Sequence, residues 1–68
     1  MVAAYRLYRL DSAGKIARSF WVEAESDEEA QRMAAAEHPA GHYELWLYNR
    51  HVADLRDGEV TPLNRPAT

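Results

Sequence analysis

The sequence predicts a two-layer α+β domain of order ββαββ, with a four-stranded, mainly antiparallel sheet and one helix on one face. Three observations carry that prediction. Two runs of strand-forming residues are joined by the turn Asp11-Ser12-Ala13-Gly14. A capping signal, Ser26-Asp27-Glu28-Glu29, then precedes Ala30, Met33 and Ala34 at helical spacing. A second pair of short alternating runs follows Pro39.

Each element has its own local cause. Residues 4–10 (Ala-Tyr-Arg-Leu-Tyr-Arg-Leu) are rich in strand formers. Asp and Ser start turns through side-chain bonds to the backbone, and Gly accepts positive φ, so Asp11 to Gly14 closes a hairpin. Residues 15–24 alternate, with Ile16, Phe20, Val22 and Ala24 on one side and Trp21 and Glu23 on the other. Ser26 can accept from the Glu29 amide while the Glu29 carboxylate reaches back, which makes a capping box. Three acids in the first turn suit the positive end of the helix dipole, and Glu28 and Arg32 form an i,i+4 pair. The helix should end at His38, because the residue before a proline is pushed out of the α region. A third strand, 42–48, alternates Tyr43, Leu45 and Leu47 against Glu44, Trp46 and Tyr48. Asn49-Arg50 then reads as a turn into a short fourth strand, 51–55. The domain therefore spans 1–56, and 57–68 reads as a flexible C-terminal tail without periodicity.

The preferred strand order is 2-1-3-4, all antiparallel, with a right-handed crossover through the helix. Order 1-2-3-4 with a parallel central pair is the alternative. The predicted core comprises Phe20, Val22, Ala30, Met33, Ala34, Tyr43, Leu45 and Leu47. Strand 1 is apolar in either facing, with Tyr5 and Leu7 on one side and Tyr8 and Leu10 on the other.

Composition bounds what such a domain can do. A chain of 68 residues has room for one domain, and one that small buries only about 60% of its unfolded surface. Small scaffolds supplement thin cores with disulfides, a metal or oligomerisation. The chain has no Cys, so disulfides and thiolate zinc sites are excluded and self-association is the natural supplement. The net charge is −3, with seven Arg and one Lys, which provides no global positive field for nucleic acid. The first twenty residues carry Arg6, Arg9, Asp11, Lys15 and Arg18, so no apolar run for a signal peptide or membrane span is present. A cytoplasmic location is the expectation.

No catalytic constellation emerges. His38 and His42 have an H-x3-H spacing, but Pro39 and Gly41 between them break helical geometry. His51 lies at the opposite end of the same hairpin, about 20 Å away over six strand residues. No metal and no cofactor are therefore expected. The acids from Glu23 to Glu29 are explained by helix capping, and Ser12, Ser19 and Ser26 form no nucleophile elbow. Gly14, Gly41 and Gly58 are isolated, so no phosphate-cradling loop exists. The expectation is a protein without enzymatic activity.

The informative feature is the second face of the sheet. Trp21, Trp46 and Tyr48 point away from the predicted core, and Tyr8 and Leu10 join them when Tyr5 and Leu7 face the helix. One helix covers one face, and exposed apolar patches mark interfaces. A protein partner, most simply a second copy in a homodimer, is the leading reading, with Arg6 on the rim. Single-stranded nucleic acid stacking on the aromatic and arginine face is the second. In the third, Val60 and Leu63 of the tail fold back over the sheet.

Tyr5-Arg6-Leu7-Tyr8 with Leu10-Asp11, Gly14 to Ile16, the Phe20-Trp21-Val22-Glu23-Ala24 run, Asp27-Glu28-Glu29-Ala30, and Glu44-Leu45-Trp46 before Val52-Ala53 form a further pattern. It resembles that of a group of short, uncharacterised bacterial proteins, from about Tyr5 to Leu55. That group commonly has a hydrophobic residue near position 9, where this chain has Arg9. The resemblance implies the same small fold and a cytoplasmic location. It implies no activity, cofactor or partner.

Overall fold

A computed structural model describes residues 1–63. The chain runs β1 (Ala3–Leu10), β2 (Ile16–Ala24), α1 (Asp27–Glu37), β3 (His42–Leu47), β4 (Arg50–Arg56) and β5 (Glu59–Pro62). All strand pairs are antiparallel and the sheet order is β2-β1-β3-β4-β5. The α+β class and the 2-1-3-4 order therefore stand, and the sheet has a fifth strand where the sequence predicted four.

That fifth strand corrects the domain boundary at residue 56. Asp57 and Gly58 both adopt positive φ, 53° and 83°, and join Arg56 to Glu59 as a two-residue hairpin turn. Asp-Gly is among the strongest hairpin signals because both turn positions need positive φ, which Gly adopts without a Cβ clash. The Asp57 side chain also accepts from the Gly41 amide at 3.0 Å, tying the turn to the start of β3. Residues 59–62 extend the sheet edge beside β4, and Val60 packs against the core on the helix side. The tail as far as Leu63 thus lengthens the sheet and does not cover its second face. Residues 64–68 of the expected tail lie outside the described residues.

The helix begins as its capping signal implies. Ser26 is extended at the N-cap and its side chain accepts from Glu29 N at 3.1 Å. The Glu29 carboxylate reaches back to the Glu25 amide at 2.6 Å. Ala30 and Ala34 are fully buried, and their small side chains let the helix sit close to the sheet. His38 caps the C-terminus, its amide donating to Ala34 O at 2.9 Å. Its ring packs on Phe20 and Tyr43, with centroids 4.7 and 4.8 Å away.

Strand 1 turns Tyr5 and Leu7 toward the helix, where both are buried. Val22, Tyr43 and Leu45 join them, together with Ala24, Val52, Ala53 and Leu55, which the sequence reading had not included. Phe20 and Leu47 are half-buried against this cluster. Met33 is a correction: it is 36% exposed, because the helix presents its narrow Ala30–Ala34 stripe to the sheet. In β4 the pairing shifts between Leu45 and Trp46, so that Trp46 opposes His51 while Leu45 opposes Ala53. Val52 is the extra residue of this β-bulge, and both Val52 and Ala53 are buried.

Candidate functional site

The open face of the sheet brings most of the predicted interface residues together. Arg6 and Tyr8 point outward from β1, one residue out of phase with buried Tyr5 and Leu7. Arg6 pairs with Trp21 on one side and Trp46 on the other, so its position on β1 lies between the two tryptophans along the ladder. Its guanidinium carbon is 4.1 Å from the Trp21 ring centroid and 6.0 Å from that of Tyr8. Ser19 accepts a hydrogen bond from Arg6 Nη2 at 3.2 Å and fixes that pose. A cation over an indole face is held by the ring quadrupole.

Tyr48 reaches this site from a position that corrects the sequence reading. It is a turn residue with φ 56°, not the last residue of β3, and the turn comprises Tyr48-Asn49, one residue earlier than expected. Left-handed backbone at a Tyr is uncommon, and here it projects the ring into solvent. Tyr48 is 87% exposed and Trp21 66% exposed. Ala4, Arg6, Tyr8, Trp21 and Tyr48 line a groove of about 450 Å³ between these two rings. Leu10, at the far end of β1 opposite His42, does not line it.

Trp46 is set differently. It is half-buried, its Nε1–H donates to Glu44 Oε1 at 3.1 Å, and its ring stacks on His51 at 4.7 Å and 4°. Its polar edge and one face are thus occupied within β3 and β4. The sequence reading did not include Glu44, His51 or Asp54 in the site. The pairing of His51 and Asp54 depends on the Val52 bulge, whose position is not encoded in an alternation pattern.

His38 and His42 lie away from this face's centre, at the helix end and at the start of β3, while His51 opposes Trp46 near the other end of the hairpin. The three histidines do not converge. A second, larger groove of about 600 Å³ runs between α1 and β5 along Glu28, Gln31, Arg32, Ala35 and Val60. It is lined by polar and charged side chains of a helix flank and by Val60 of an edge strand.

The helix side holds a polar network. Tyr5 OH donates to Asp27 Oδ1 at 2.6 Å, and Arg50 binds the same carboxylate through two nitrogens at 2.9 and 3.1 Å. Burial, reinforced by the Asp27 carboxylate, pushes the Tyr5 phenol up to about 12. The Arg50 guanidinium holds the Asp27 carboxyl below its usual range, with the Tyr5 hydroxyl adding to the effect. Both shifts lock the groups in their structural protonation states, which makes this a clamp between helix start, β1 and β4.

Among the described residues no helix is long and apolar enough to cross a membrane. Comparison of the chain with family models, curated proteins and solved structures finds no match.

Proposed function

We propose that this protein is a small, non-enzymatic interaction module that associates with a second copy of itself through the open face of its sheet. The observation that carries the reading is the groove between Trp21 and Tyr48, two large rings left in water beside Arg6 and Tyr8. The face supplies both a groove and the projecting rings that would fill one, so it is complementary to itself. A two-fold axis along the strands would bring Tyr48 of one copy toward Trp21 of the other. Closed two-fold pairs are the commonest oligomers, and a domain of this size gains from the added burial. Trp, Tyr and Arg are the residues most enriched at interface hot spots.

Nucleic acid is the weaker occupant. Glu23, Glu44 and Asp54 share this face with the aromatic rings, and carboxylates there repel a phosphate backbone. Sedimentation of the parent and of Trp21→Glu tests the reading. The parent should sediment as a dimer at micromolar concentration and the variant as a folded monomer. A parent that stays monomeric, or salt-sensitive binding of single-stranded DNA or RNA that quenches Trp21, would overturn it.

A further inference from the structure

We infer that Glu44, His51 and Asp54 form a binding site for a divalent transition metal of the zinc type. One donor atom from each lies within 4.8 Å of the others. His51 Nε2 is 3.0 Å from Asp54 Oδ1, yet the approach is not aligned for a hydrogen bond. That nitrogen is shut off from solvent and has no hydrogen-bond partner. An imidazole nitrogen turned into a carboxylate pair in this way is a ligand held ready for a cation.

Three further features point the same way. His51 and Asp54 are three residues apart, so regular alternation would send them to opposite faces. The bulge at Val52 restores them to one face, and bulges that re-aim side chains cluster at functional sites. Glu44 and Asp54 are also directly opposed across β3 and β4, and like charges in that position destabilise a ladder unless something lies between them. A divalent cation removes that repulsion. Trp46 orients two of the three donors, stacking on His51 and donating to Glu44, as outer-shell groups do at metal sites.

One nitrogen and two oxygens suit zinc, which takes three protein ligands and leaves one position open. Donors about 2.1 Å from such an ion lie about 3.4 Å apart, so the present cluster closes by rotation of half-exposed carboxylates. The expectation of no metal rested on sets of histidines, and this set uses only one of them. Every donor comes from one hairpin of one chain, so the inference does not rest on self-association.

Calorimetric titration with zinc chloride tests it, alongside copper(II) quenching in Trp21→Phe, where Trp46 is the only indole. One zinc per chain should bind with micromolar affinity, raise the melting temperature and, for copper, quench Trp46. His51→Gln and Asp54→Asn should each weaken zinc at least about tenfold. Asp54→Asn is isosteric at a half-exposed position, and an unchanged far-UV spectrum keeps its result readable. The double variant His38→Gln with His42→Gln should bind as the parent does. Absence of saturable binding, or binding that survives His51→Gln and Asp54→Asn, would overturn the inference, as would loss of binding in the double variant.

Discussion

The two faces of this sheet are made by alternate residues of the same strands, and they are built on opposite principles. Leu45 and Trp46 are neighbours in β3, yet Leu45 is fully buried under the helix and Trp46 lies on the open side. The covered face is made mainly of aliphatic side chains, Leu7, Val22, Leu45, Val52 and Leu55 beneath Ala30 and Ala34, with the Tyr5 hydroxyl tied to Asp27 at its edge. The open face carries large rings, and its two indoles have polar neighbours: Arg6 on Trp21, Glu44 and His51 on Trp46. Burial, and with it the stabilising apolar contact, is concentrated on one side. The other side carries amphipathic groups whose removal should disturb association more than folding.

The largest expected effect breaks the covered face. Leu45→Ala should cost about 2–5 kcal/mol by loss of transfer energy and a residual cavity. That is a large share of the roughly 3–10 kcal/mol expected for a chain this size. Thermal or denaturant unfolding measures it. A loss of only a few tenths of a kcal/mol would mean that Leu45 is not a core residue.

The clamp that joins the helix start to the covered face gives an intermediate effect with a sign at each end of the pH scale. Asp27 titrates lower in the folded state than in the unfolded chain. Its contribution is therefore present above the unfolded carboxyl value of 3.8 and is lost as pH falls below it toward the folded value. Tyr5 titrates higher when folded, so its contribution is complete below 10 and disappears as pH rises toward about 12. Tyr5→Phe removes the hydroxyl and should cost about 1 kcal/mol at neutral pH. It should also flatten the alkaline limb of the stability profile. An unaltered alkaline limb in Tyr5→Phe would show that other groups set it.

The smallest effect sharpens the contrast. Trp21→Ala, measured at a concentration where the chain is monomeric, should cost less than about 1 kcal/mol, the worth of its contact with Arg6. A loss near that of Leu45→Ala would mean the open face supports the fold directly.

Much of the covered face was legible because alternation and helical spacing report burial. Val22, Tyr43 and Leu45 follow period two, Ala30 and Ala34 follow period four, and Ser26 with Glu29 marks the helix start. What was missed has physical causes. Strand 1 is apolar on both sides, so its facing is decided by its partners and not by its own pattern. The bulge at Val52 breaks the phase of β4, which conceals both the burial of Val52 and Ala53 and the convergence of His51 with Asp54. Asp57-Gly58 was a readable turn signal, but the four residues after it are too short and polar to announce a strand. Met33 fits the helical period yet falls at the rim, because the helix buries the stripe of Ala30 and Ala34, with Ala35 beside it, against the sheet.

The central claim, that the open face pairs with its own copy, is tested most directly by nuclear Overhauser contacts between isotope-labelled and unlabelled chains mixed in equal amounts. Intermolecular contacts should arise from the rings of Trp21, Tyr48 and Tyr8, and none from Val60 or Ala35 on the opposite side. Intermolecular contacts confined to β5 or the helix flank would contradict it, as would their complete absence at millimolar concentration.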